Sequence, residues 1–198
     1  MSPLAGRTAL VCGGSEGIGL AAAQALAAMG ARVLLLARTE SKLQAALTTL
    51  PAASDGAHGL IVADAAKPDE LVERVRTSLG GATVSVLINN SAGPPPGVIA
   101  SASAAQFITT IEQQLLAAHA LAQALLPGMR AQRFGRIVNV ISTSVREPIA
   151  GLGVSNTARA AVAAWAKTLA SEVAVDGITV NSVLPGYTRT ARLAQILE

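Results

Sequence analysis

Six short apolar runs, each followed by turn residues and a helix-length segment, constrain this chain more than any other feature. They fall at residues 8–12, 33–36, 60–62, 83–88, 136–141 and 179–184. The segments between them read as helices. An Ala/Leu-rich stretch runs from Gly19 to about Met29 and is closed by Gly30. Thr39 or Ser41 can cap a second helix through Leu50, which Pro51 ends. Pro68–Leu79 opens on proline, as a first helical turn tolerates. Further helices are expected at residues 103–126 and 155–173, and a loop at 89–97 holds three consecutive prolines. Strands alternating with helices imply repeated βαβ units, hence a parallel sheet with helices on both faces. The runs are continuously apolar, as befits strands covered on both sides. The expectation is one α/β domain over residues 1–198, a doubly wound parallel sheet in three αβα layers.

Composition narrows the class. Hydrophobic residues are 51% of the 198 and charged ones 14%, which excludes intrinsic disorder. Aromatics are only 2%, so Ala, Leu, Val and Ile must build the core. The net charge is +3, and the arginines are scattered without a stripe or aromatic partners, which argues against nucleic acid. The apolar stretch 20–37 is broken by Gln24, Gly30 and Arg32, too often for a membrane span. The first residues lack a charged leader before an apolar run, and the lone Cys12 suits a reducing compartment; a cytoplasmic protein is expected. His58 and His119 have no partners at metal-ligand spacing, so no metal is expected. Cys12 reads as a packing residue.

Between the first run and the first helix lies Gly13-Gly14-Ser15-Glu16-Gly17-Ile18-Gly19. Missing side chains let the backbone turn tightly, let a pyrophosphate approach the amides, and let helix and strand pack closely. The helix N-terminus adds unpaired N–H groups and a partial positive charge. Gly13, Ser15, Gly17, Ile18 and Gly19 are therefore candidate cofactor contacts, as in a Rossmann-type fold.

The GxxxGxG spacing resembles the short-chain dehydrogenase/reductase family, most of all its 3-oxoacyl reductase-like branch. Further motifs follow in the family's order along nearly the whole chain. Asp64 follows the third strand, where the resemblance implies an adenine contact. Asn89-Asn90-Ser91-Ala92-Gly93 resembles the family's NNAG, and Ser142 ends the fifth strand at its catalytic-serine position. Residues 180–186 resemble VNxxxPG, whose Pro185 and Gly186 would line the nicotinamide pocket. Arg38 follows the second strand where an NAD-preferring site would carry a carboxylate; its planar fork can pair a 2′-phosphate, which favours NADP(H) over NAD(H). Asn89 and Arg159 would hold the ribose side.

The catalytic positions depart from the family's Asn, Ser, Tyr and Lys. Alignment puts Gln114 at the Asn position, Ser155 at the Tyr position and Arg159 at the Lys position; only Ser142 matches. The sole tyrosine, Tyr187, lies past Gly186 and is not the YxxxK tyrosine. A phenol near pKa ~10 can be tuned toward neutrality, whereas an aliphatic hydroxyl is a poor acid or base. Arg159 keeps its proton at physiological pH. A water between Ser142, Ser155 and Arg159, organised with Gln114, is the expected substitute proton source.

Two functions follow. One is NADP(H)-dependent reduction of a hydrophobic, 3-oxoacyl-like carbonyl by an altered proton route. The other is a nucleotide-binding pseudoenzyme serving as partner subunit or sensor, motivated by an intact glycine turn beside a dismantled tetrad. The resemblance also implies a homodimer or homotetramer. It implies a substrate lid and a last strand beyond the PG loop too, and since the sequence reaches Glu198 about where that lid would start, the sheet is expected to lack that strand.

Overall fold

A computed structural model describes residues 2–190, 193 and 194. Arg192 lies outside the described residues. Six strands form one all-parallel sheet: β1 (Thr8–Cys12), β2 (Arg32–Ala37), β3 (Gly59–Val62), β4 (Val86–Asn89), β5 (Gly135–Val140) and β6 (Ile178–Val183). Their spatial order is β3-β2-β1-β4-β5-β6, so the chain reverses direction across the sheet between β1 and β4. Ligands in such sheets bind in the crevice outside the strand C-termini at that reversal. The doubly wound architecture expected from the alternation of runs is the one observed.

Side-chain alternation sorts the central strands between two cores. Leu10, Leu34 and Leu36 face one side, with Leu71 and Val75 of α3 (Pro68–Leu79), Leu121 and Met129 of α5 (Ala117–Ala131), and Ala166 of α6 (Gly153–Val173). Ala9, Val11, Val33 and Leu35 face the other, with Ala23 and Ala27 of α1 (Gly17–Ala28) and Leu43 of α2 (Glu40–Leu47). Small alanines bring helices close to the sheet where aromatics are scarce. β6 is different: Ile178 and Val180 are buried while Thr179, Asn181 and Val183 are exposed, so among the described residues this strand is covered on one side only.

Three boundaries differ instructively from expectation. α2 stops at Leu47, three residues before Leu50, in a tightened turn where Thr49 and Leu50 donate to the carbonyls of Ala46 and Leu47. The fourth strand ends at Asn89 because Asn89 still pairs with Asn139 of β5. The long helix is two helices. α4 (Ala104–Ile111) starts at a capping box in which Ser103 Oγ accepts from Gln106 N–H and Gln106 Oε1 accepts from Ser103 N–H. A π turn, Glu112–Leu116, then joins it to α5. α5 passes through Pro127 to Ala131, since Pro127 is exposed while Leu125, Leu126 and Met129 are buried and hold the helix to the sheet.

Candidate functional site

The site is built at the C-terminal ends of β1, β4 and β5. After Cys12 the chain turns through Gly13 at φ 59°, and a Cβ there would lie 2.6 Å from Asn90 Nδ2 and 2.7 Å from its carbonyl oxygen. At Gly19 a Cβ would collide with the Gly13 carbonyl. Both positions need glycine because the turn is folded tightly against the Asn90 loop. At the start of α1, Glu16 makes no side-chain capping bond. The first-turn amides of Gly17, Ile18 and Gly19 therefore have no side-chain acceptor among the described residues, the arrangement an anion completes. The Glu16 carboxylate turns instead to Lys42 Nζ of α2, 2.9 Å away.

The adenosine end lies one strand further out. Ala63 N–H donates to Ala37 O at 3.1 Å, so Arg38 and Asp64 leave adjacent strand ends side by side. Arg38 is exposed and pairs with no carboxylate among the described residues. Asp64 Oδ1 accepts from Ala66 N–H at 3.0 Å, which fixes the start of its loop.

Beside the turn opens a narrow cleft, partly open to solvent, walled among others by Cys12, Asn89, Asn90, Ser91, Gln114 and Arg159. Burial pushes the Cys12 thiol up to about 12, so it stays protonated and inert. Arg159 Nη1 donates to Val140 O at 2.5 Å and Nη2 to Ser91 O at 3.3 Å, so one guanidinium ties the ends of β4 and β5 to α6. Asn89 Nδ2 donates to Asn139 Oδ1 at 2.9 Å, and Asn139 Nδ2 to Asn181 O at 3.4 Å, a line of amides across three strands. Gln114 projects from the π turn. Its Nε2 donates to Ala92 O at 3.3 Å, while Oε1 is buried and makes no protein hydrogen bond.

Ser142 and Ser155 do not wall this cleft. Ser142 Oγ accepts from Ser144 N–H at 3.1 Å, and Thr143 N–H donates to Pro185 O at 3.1 Å, which brings the Pro185–Gly186 turn against the end of β5. Ser155 sits in the first turn of α6, half-buried, four residues before Arg159 and on the same helical face. The site thus gathers Gln114, Asn89 and Arg159 in one cleft and places Ser142 beside it, near Pro185.

Sequence reasoning missed three features. Lys42 is invisible as a partner of Glu16 until α2 is placed. The Thr190 methyl lies 3.3 Å from where a Gly17 Cβ would be, so the segment after β6 crosses to the glycine turn. Finally, Gly97 and Leu152 form a parallel bridge, with Gly97 N–H donating to Gly151 O at 2.6 Å, which joins the proline loop to the loop before α6.

A parallel sheet with this strand order and a glycine turn at its reversal defines the nucleotide-binding α/β class. The chain matches the family model described as short chain dehydrogenase over residues 7–198, and it belongs to the short-chain dehydrogenase/reductase family of oxidoreductases. It is 35% identical over 185 residues to the 3-oxoacyl-(acyl-carrier-protein) reductase of Escherichia coli, covering 93% of this chain and 75% of that protein. It is 31% identical over 191 residues to the inactive hydroxysteroid dehydrogenase-like protein 1 of Pongo abelii, covering 96% of this chain and 58% of that one. L-Sorbose reductase from Gluconobacter frateurii, solved with NADPH and L-sorbose, superimposes with a TM-score of 0.85 at 32% identity, over 96% of this chain and 73% of that one.

Proposed function

We propose that this chain is an NADP(H)-dependent reductase of hydrophobic, 3-oxoacyl-like carbonyl compounds, working in the cytoplasm as a homo-oligomer and using an altered proton route. The observation that carries the reading is the glycine turn, whose helix amides carry no side-chain cap among the described residues, with Arg38 exposed on the neighbouring strand end. These groups fit a phosphorylated dinucleotide: the amides of residues 17–19 take the pyrophosphate, Arg38 the 2′-phosphate and Asp64 the adenine. When bound, the cofactor supplies a hydride. The chain's own residues orient the reactants. Ser142 donates to the substrate oxygen, Pro185 and Gly186 back the nicotinamide, and Arg159 holds the two loops together while its positive charge favours a developing oxyanion. Gln114 Oε1 is an acceptor for a bound water or a ligand N–H. Titration with NADPH and NADH, followed by nicotinamide fluorescence, tests the reading. Micromolar binding of NADPH with weaker NADH supports it, and binding of neither removes it.

A second reading, a nucleotide-binding pseudoenzyme, is favoured by one observation. Arg159, at the family's Lys position, spends two donors on the Val140 and Ser91 carbonyls, and Ser155 replaces the phenol. On this reading the chain binds nucleotide without turning over any carbonyl.

A further inference from the structure

Two side chains from separate helical segments hold successive carbonyls of one loop. Arg159 of α6 donates through Nη2 to Ser91 O at 3.3 Å. Gln114 of the π turn donates through Nε2 to Ala92 O at 3.3 Å. Both are anchored: Arg159 Nη1 also donates to Val140 O at the end of β5, and Gln114 is buried. The residue just before the held pair, Asn90, faces the glycine turn. Its Nδ2 donates to Gly13 O at 3.4 Å. The fit there is close. A Cβ on Gly13 would lie 2.7 Å from the Asn90 carbonyl oxygen, and one on Gly19 would lie 2.8 Å from Asn90 Nδ2. Asn90 thus packs against both glycines that bound the turn, on the side facing away from solvent, where it is half-buried.

We infer that Gln114 and Arg159 are positioning residues acting as one unit: they hold Ser91 and Ala92 so that Asn90 fixes the glycine turn in the shape that receives a pyrophosphate. The inference rests on the dinucleotide site proposed above, and it holds on either the reductase or the pseudoenzyme reading. Neither side chain has to touch the cofactor. The aim of the amides of residues 17–19 is what matters, since a hydrogen bond weakens steeply as its donor tilts. A turn released from Asn90 must also be ordered again when the anion arrives, and that ordering is subtracted from affinity. The planar fork of arginine suits the task, because it offers donors to Val140 O and Ser91 O in a fixed geometry. The two positions that depart from the family's tetrad therefore share a purpose, the placement of one loop.

Binding is measured in the full chain carrying Gln114→Met, Arg159→Met, both together, or Asn90→Ala. NADPH is titrated by nicotinamide fluorescence, and ADP and adenosine 2′-monophosphate by displacement of NADPH. Each titration is run at a temperature where circular dichroism shows the variant folded. Every single substitution is expected to weaken NADPH and ADP by the same factor, about five- to tenfold, the effect of one lost hydrogen bond. Adenosine 2′-monophosphate, which has no pyrophosphate, should bind as it does to the natural chain. The double variant should lose about as much as either single one, since releasing one carbonyl already frees the loop. Unchanged ADP affinity in folded Asn90→Ala, or in both single methionine variants, overturns the proposal. A loss confined to NADPH overturns it too, because Arg159 would then be touching the nicotinamide half directly. Equal loss of all three ligands overturns it as general damage to the fold, and losses that multiply in the double variant overturn the single unit. Failure of the natural chain to bind NADPH removes the dinucleotide reading as well.

Discussion

Lys42 Nζ sits 2.9 Å from Glu16 Oε2, so the only acid of the glycine turn is neutralised by the first turn of α2. Both side chains are more than half exposed, and such pairs stabilise a fold by only about 0.2–1 kcal/mol. The pair's consequence lies in binding. Freed from Lys42, Glu16 would repel a phosphate approaching the amides beside it. Lys42→Ala is expected to weaken NADPH binding several-fold with little change in melting temperature. Equal affinity in the two proteins would mean that Glu16 does not face the ligand.

On the proposed reading, Arg38 is the residue on which cofactor choice turns. Charge-assisted hydrogen bonds contribute about 1.5–3 kcal/mol, so Arg38→Ala should cost NADPH roughly ten- to a hundredfold in affinity. NADH, with no 2′-phosphate, should bind as before. Fluorescence titration of both nucleotides distinguishes this from a general loss of the site, in which both affinities would fall together.

Arg159 joins three elements through backbone carbonyls. Arg159→Met keeps the length of the stem and removes the donors to the carbonyls of buried Val140 and half-buried Ser91. A loss of about 1–3 kcal/mol is expected in denaturant unfolding. The double variant Ser155→Tyr with Arg159→Lys restores the family's spacing on one face of α6. Carbonyl reduction that arises only in this double variant would establish the pseudoenzyme reading of the natural chain.

The Cys12 thiol offers a pH test. Burial raises its pKa from 9.0 to about 12, so the folded chain holds this proton more tightly than the unfolded chain. The stabilisation is complete below pH 9 and is lost as pH rises from there toward 12. Cys12→Ala should flatten the alkaline decline in unfolding free energy over that range. At neutral pH, maleimide labelling of the native protein should be slow and should accelerate on unfolding.

In the core, Leu10 is fully buried at the centre of β1. Leu10→Ala should destabilise the fold by about 2–5 kcal/mol, read from urea unfolding. A loss under 1 kcal/mol would mean that the alanine-rich helices collapse onto the gap.

Much of this is legible in the sequence itself. Thr8–Cys12 and Pro68–Leu79 have the observed bounds, because a glycine cluster, a proline and a terminal glycine mark them chemically. The glycine turn and the positions of Arg38 and Asp64 follow from strand ends alone. The π turn at Gln114 was not legible, since one extra residue in a helical turn leaves no mark in hydrophobic period. The partners of Arg159 were equally hidden, because they are backbone carbonyls that any residue would supply. β6 read as a strand covered on both sides, yet its outer residues Thr179 and Asn181 are polar, a period-two signal present but outweighed by Val180 and Val183.

The Gly97–Leu152 bridge couples two loops that the chain order keeps far apart. One follows β4, where Asn90 and Ser91 wall the cleft, and the other precedes α6. Stitched together by backbone hydrogen bonds, they hold one another in place, so lengthening either loop is expected to shift the other. The placement of each loop is therefore a joint property of both, to be altered in pairs rather than residue by residue.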